Sequence, residues 1–451
     1  MPRKSLLLCL VAAALQAQQM PVYDLESFVV VAPNVFVPES SVSRDFIQSA
    51  KPVDLAAILS SKLPAAALTR KGPLAGDIVL RGFTRDNLNI TVDGNKTFCA
   101  CPNRMDPPAF HVSSQQIEGV RVRTGPFSVD QGGSVGGTIA VQTTLPGDET
   151  FARAYGYGGS FDYYAGGLTA GTPLGEKAEL LGGLYYQEGG VYEDGSGRRF
   201  TELPGLNYRP EYLDTTSFEV VTAETKLTYD FGESSHLTVN YAYQDASDVL
   251  YPGLRMDAPT DTMNRFGIAL SHPVAADFAD RVEASLAFSH VDHDMRDSFR
   301  TSFSTRVGNP TIAARGYFMR TEATSTYIGA RAEFSKTLDN ADFLRYGIDM
   351  SQRYWDADNI IGIVQRNDML PDTLSEKLGF WGVYERRSGP WALETGLRLD
   401  LAESEAREDI SFLQGRLGTT SNRQDDILPS LYALLSRELG ESTEAYAGLG
   451  Y

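Results

Sequence analysis

From about residue 148 onward, apolar and polar side chains alternate along the chain in runs of ten or more residues. In LTVNYAYQ (237–244), Leu237, Val239, Tyr241 and Tyr243 share one face, and Thr238, Asn240, Ala242 and Gln244 share the other. WALETGLRLDL (391–401) repeats the period of two, with Trp391, Leu393, Leu397, Leu399 and Leu401 opposed to Glu394, Arg398 and Asp400. Short turns such as PLGEK (173–177) alternate with long polar loops such as 192–217. A soluble sandwich shows such alternation too. Long strands, unequal loops and abundant aromatic residues (22 Tyr, 22 Phe) favour an antiparallel transmembrane β-barrel with one wet face and one lipid face.

Parity along one such strand decides where two potential ligands point. In VEASLAFSHVDHDM (282–295), Val282, Ala284, Leu286 and Phe288 form the apolar face, so Glu283, Ser285, Ala287 and Ser289 face the lumen. The same count places His293 and Met295 on the lumen side and His290 outward. HPVAADFAD (272–280) reads as a periplasmic turn, which makes this strand rise and puts His293 towards the outside.

Before residue 148 the pattern is different. VDLAAILSSK (53–62) predicts a short amphipathic helix, and short strands alternate with Gly and Pro turns over 77–143, as in a small mixed α/β domain. At the N-terminus, Arg3 and Lys4, an apolar run over 6–15 and small residues up to Ala17 form a secretory signal, assigned to 1–17. The chain is expected to be exported, and Cys9 leaves with the signal.

Composition narrows the field further. Of 451 residues 42% are hydrophobic, too few for a bundle of spanning helices, and no stretch after the signal is apolar enough for one. The net charge of −18 argues against nucleic acid as a partner. Cys99 and Cys101, the two cysteines left after export, are separated by one residue, and a disulfide between them would close a strained ring. GGSVG (132–136) has the spacing of a nucleophile elbow, but a strand-like segment follows where a helix is required, so it reads as a turn.

Several segments of the N-terminal domain resemble, in order, those of TonB-dependent outer-membrane receptors. DLESFVVVA (24–32) resembles the TonB box, and VLRGF (79–83), ITVDGN (90–95) and IEGVRVRTGPFSVDQGGSVGGTIAVQTT (117–144) resemble successive blocks of the plug. The resemblance implies a mixed α/β plug domain (40–147) inside an antiparallel transmembrane β-barrel (148–451), after a box and linker at 18–39. It also implies location in the bacterial outer membrane, contact with its lipid, and an energy-transducing TonB-type protein in the periplasm as partner. That protein would capture Glu26, Ser27, Phe28, Val29, Val30, Val31 and Ala32 as an added strand. A transporter of this kind is not an enzyme and carries no enzymatic cofactor.

Within the family, CPNRMDPP (101–108) is similar to the plug loop of copper receptors, which pair a Cys-x-x-x-Met there with a His-x-Met on a barrel strand. The resemblance implies that Cys101, Met105, His293 and Met295 hold copper, as Cu(I), between plug loop and barrel wall. Sulfur donors with an imidazole suit a soft ion over Mg²⁺ or Ca²⁺. Flanking prolines would stiffen the loop and lower the ordering cost of binding. Plainer readings stand beside this one: Met105 as packing under Pro107 and Pro108, His-x-Met as ordinary lumen polarity, and His111 and His290 at the surface. Cys99 departs from the family pattern and is an additional candidate ligand, a disulfide hazard or neither. The remaining functional alternatives are a siderophore or cobalamin receptor of the same kind and a passive porin or adhesin.

The region after the plug has room for about 12 to 14 strands, fewer than the roughly 22 of such receptors. The last segment, EAYAGLGY (444–451), reads as the middle of a strand, so an incomplete barrel is expected, with a naturally short barrel that ends on the aromatic Tyr451 as the alternative.

Overall fold

The computed structural model describes residues 39–451 apart from 133, 233, 339–340, 364, 409, 411–420 and 441–442. The proposed signal (1–17) and the TonB box residues Glu26 to Ala32 lie outside the described residues.

The N-terminal domain contains strands β1 (Glu39–Ser43), β2 (Ala66–Thr69), β3 (Asp77–Leu80), β4 (Leu88–Val92), β5 (Asn95–Lys96), β6 (Ile117–Thr124) and β7 (Gly137–Thr143). Five of them form a sheet in the order β1-β6-β7-β4-β5, with β4 and β7 parallel, and β2 and β3 form a separate hairpin. Helices α1 (Arg44–Ala50) and α2 (Leu55–Lys62) precede the hairpin. The helix read over 53–62 starts two residues later, because Asp54 is its N-cap: one carboxylate oxygen accepts the Ala57 N–H at 2.8 Å and the other accepts the Gly76 N–H at 2.9 Å. Leu55, Ile58 and Leu59 of α2 then pack with Ile78, Leu80, Val120, Val122, Ile139 and Val141 into the apolar core of the domain.

The rest of the chain builds one antiparallel sheet of 13 strands, each bonded to its neighbour in sequence. The strands are β8 (Phe151–Gly159), β9 (Tyr163–Pro173), β10 (Ala178–Gly190), β11 (Thr216–Gly232), β12 (Ser235–Val249), β13 (Asp257–Ala276) and β14 (Ala279–Arg296). They continue as β15 (Met319–Thr337), β16 (Phe343–Ile361), β17 (Gln365–Ser388), β18 (Trp391–Ala406), β19 (Arg423–Gly440) and β20 (Thr443–Gly450). Two short helices, α3 (Thr301–Ser304) and α4 (Pro310–Arg315), lie in the long connection between β14 and β15. Among the described residues β8 and β20 are the edges of the sheet, and the strand count lies within the expected range.

Alternation holds as read. Leu397, Leu399 and Leu401 are exposed on one face of β18, while Glu394, Arg398 and Asp400 are buried on the other. Leu286 and Phe288 face out from β14, and Ser289, His293 and Met295 are buried. Among the described residues no helix is long and apolar enough to cross a membrane. The segment 272–280 is shorter as a turn than its sequence suggested: β13 runs to Ala276 and β14 begins at Ala279.

The N-terminal domain docks on the wet face through paired polar groups. Lys226 of β11 meets Asp93 at 3.0 Å, Glu224 accepts from Gln116 at 2.9 Å, and Ser289 of β14 donates to the Lys96 carbonyl at 3.0 Å. Arg398 of β18 donates to the Val129 carbonyl at 3.1 Å while its guanidinium is clamped by Asp349 and Asp400. Burying polar groups on both surfaces is tolerable only because they satisfy one another.

Candidate metal centre

The loop that follows β5 carries Cys101 and Met105, and its shape is set by one carboxylate. Asp106 folds back to accept the N–H of Ala100 at 2.6 Å and of Cys101 at 3.0 Å. Between them Arg104 adopts a left-handed backbone (φ 52°) that closes the turn, with its N–H on the Cys101 carbonyl at 2.8 Å. The Arg104 side chain forms a two-pronged ion pair with Asp77, at 2.8 and 3.0 Å, and so ties the loop to β3. From β16, Arg353 donates to the Cys99 carbonyl at 2.9 Å and Trp355 to the Ala100 carbonyl at 2.6 Å. Tyr251 donates to the Met105 carbonyl at 2.8 Å. The loop is therefore held to both the domain core and the strand wall.

These ties bring the thiol of Cys101 to 3.9 Å from the thioether of Met295, 194 residues away. Met105 packs into the same buried cluster, with Phe110, Phe218, Val220 and Tyr251 around it. Cys101, Asp106 and His293 offer ligand atoms that all lie within 4.8 Å of one another. His293 Nδ1 is 2.7 Å from Asp261 Oδ2, while its Nε2 is buried with no hydrogen-bond partner among the described residues. A carboxylate on one ring nitrogen fixes the tautomer and leaves the other nitrogen's lone pair for a metal. Exposure of Cys101, Met105, His293 and Met295 is 1%, 0%, 2% and 3%.

Burial pushes the Asp106 carboxyl up, but His293, His111 and the Ala100 N–H outweigh it and hold the group below the usual carboxylate range. Asp106 thus stays an anion beside the sulfur atoms. Cys99 faces elsewhere: burial raises its thiol to about 12, its sulfur accepts from Arg104 at 3.7 Å, and it stands outside the group formed by Cys101, Asp106 and His293. Both cysteines are free thiols.

One expectation fails. His111, read as a surface residue, is fully buried between Asp106 and Asp261, because the turn Pro108–Phe110 packs Phe110 into the cluster and carries His111 inward with it. His290 does face out, bonded to Thr326 and Asp292. Sequence reading missed Asp106, although it lies inside the quoted motif, and Asp261, whose signal is its position opposite His293 in the β13–β14 register.

Residues 34–138 match the TonB-dependent receptor plug domain. Over 213 residues, 46% of this chain and 28% of the relative, the chain is 28% identical to the metal-pseudopaline receptor CntO of Pseudomonas aeruginosa. Among solved structures it resembles the copper transporter OprC (TM-score 0.74, 22% identity, 92% of this chain and 63% of that one). It also resembles the alcaligin receptor FauA of Bordetella pertussis (TM-score 0.62, 16% identity, 92% and 62%). The chain thus spans less than two thirds of each of these relatives. The chain thus carries a TonB-dependent receptor plug domain, set on a strand wall whose fold it shares with solved outer-membrane receptors.

Proposed function

We propose that this receptor imports copper as Cu(I) across the outer membrane, holding the ion between Cys101 and Met105 of the plug and His293 and Met295 of β14. The observation that carries this reading is the 3.9 Å approach of the Cys101 and Met295 sulfur atoms across the plug–wall boundary. Thiolate, thioether and imidazole donors are the set a soft monovalent copper ion prefers, and hard cations gain little from sulfur. Asp261 supports the imidazole and Asp106 shapes the thiol loop, so both halves are arranged before the ion arrives.

Division of the site between two bodies supplies a release step. The outer membrane holds no ion gradient, so work must come from the periplasm, through a TonB-type partner pulling on Glu26 to Ala32. Movement of the plug would take Cys101 and Met105 away from His293 and Met295. A site that loses half its ligands loses most of its affinity, and the ion leaves towards the periplasm.

The name of the curated relative raises a metal chelate as a second cargo. Burial of all four donors argues for the bare ion, because a chelator around the metal would have to displace buried side chains to bring the metal to them. Cu(I) titration of the purified protein against Cys101→Ser and Met295→Ala tests the site. Both substitutions are expected to weaken binding, and unchanged affinity in both would rule the site out.

A further inference from the structure

Next to the sulfur atoms lies a second group of ligand atoms that contains none. Asp106, His111 and Asp261 each bring a ligand atom within 4.8 Å of the other two. Their exposures are 0%, 0% and 1%. His111 Nε2 is 3.9 Å from Asp106 Oδ2, and His111 Nδ1 is 3.7 Å from Asp261 Oδ1. Both distances exceed a hydrogen bond. One ion can take only one ring nitrogen of His111, and either distance falls within the separation of about 3.3 to 4.2 Å that two ligands can span around a small cation with bonds of about 2.0 to 2.1 Å.

The atoms concerned are unsatisfied. Neither ring nitrogen of His111 nor Asp261 Oδ1 has a hydrogen-bond partner among the described residues. A wholly buried imidazole with neither nitrogen hydrogen-bonded is costly, and a cation held by one nitrogen and the carboxylates would relieve part of that cost. Meanwhile the carboxylates are already oriented: Asp106 by the Ala100 and Cys101 N–H groups, Asp261 by His293.

We infer that Asp106, His111 and Asp261 form a second cation site, for a borderline divalent ion of the Zn²⁺ class, beside the sulfur site. Two carboxylate oxygens and one imidazole are donors that Zn²⁺ accepts and that Cu(I) accepts poorly. The lumen then offers two neighbouring sites of different softness. This site uses neither sulfur atom, so it stands or falls independently of the copper reading.

The test uses the full chain in detergent with Cys101→Ser and His293→Gln, which removes the thiolate and imidazole of the sulfur site while Gln keeps a donor for Asp261. After Zn²⁺ loading and desalting, bound metal is counted and its X-ray absorption recorded. One retained Zn²⁺ with a nitrogen and oxygen shell and imidazole scattering is expected, and adding His111→Gln should lower the affinity at least tenfold. Absence of retained zinc would overturn the inference, as would a shell without imidazole or unchanged binding in the His111→Gln chain. Because the spectrum is read with His111 intact, misfolding of the further variant leaves the test standing.

Discussion

His293 and Asp261 sit directly opposite each other on β14 and β13, and Asp261 Oδ2 lies 2.7 Å from His293 Nδ1, so one side chain determines what the other can offer a metal. Replacing Asp261 by Asn keeps the volume but removes the charge that favours a proton on Nδ1. Cu(I) affinity is expected to fall by about 10- to 100-fold in a competition titration with a colorimetric chelator. Far-ultraviolet circular dichroism should be unchanged, which separates loss of ligand orientation from loss of the strand wall.

Acid should weaken the same site for a simple reason. If the proposed site holds copper through the Cys101 sulfur and the His293 imidazole, protons would compete with the ion at both positions. Apparent Cu(I) affinity should therefore rise with pH. In Cys101→Ser the slope should become shallower, since one of the two competing protons is gone. A slope equal in both chains would remove the thiolate from the ligand set.

Asp130 of the plug lies near two guanidinium groups of the wall, with Arg345 at 3.8 Å and Arg331 at 3.9 Å. Burial alone would raise its carboxyl, but Arg331 and Arg345 prevail and bring it from 3.8 down to about 2. A depressed acid contributes stability above its unfolded value and loses it as pH falls through the folded one. Asp130 therefore supports plug docking by about 2 kcal/mol at neutral pH, and that support disappears from pH 3.8 down to about 2. Asp130→Asn should lower the urea midpoint for plug release at neutral pH and leave it nearly unchanged at about pH 2.

Strand parity made half of the site legible before any fold was known. A period of two is a local property, and once Leu286 and Phe288 face lipid, His293 and Met295 must face the plug. The partners of that pair were not legible, because they depend on non-local registration. Asp261 is one acidic residue among many until β13 is aligned with β14. Asp106 needs the left-handed turn at Arg104 before its carboxylate can reach back to two N–H groups. His111 follows a short turn with no periodicity, so nothing in the chain announced that Phe110 would carry it inward. The box at Glu26 to Ala32 rests on sequence resemblance.

Gly379 shows how a residue without a side chain holds the plug in place. A Cβ at this position of β17 would strike the Arg398 guanidinium and the Asp400 carboxylate. Its absence lets Arg398 lie flat, reach Asp349 at 2.7 Å through both terminal nitrogens, and still donate to Val129 of the plug at 3.1 Å. Gly379→Val would displace a guanidinium that is 1% exposed and has no solvent to turn to. Breaking a buried charge network from one side costs about 3 to 5 kcal/mol, so thermal stability should drop and the plug should release at lower urea. Gly382, three residues on, tests the specificity of this effect. Its Cβ would meet only ordinary contacts at 3.8 Å, and Gly382→Ala should change the midpoint little. Equal losses from both substitutions would mean that strand β17 is sensitive to any side chain, and that Arg398 does not anchor the plug.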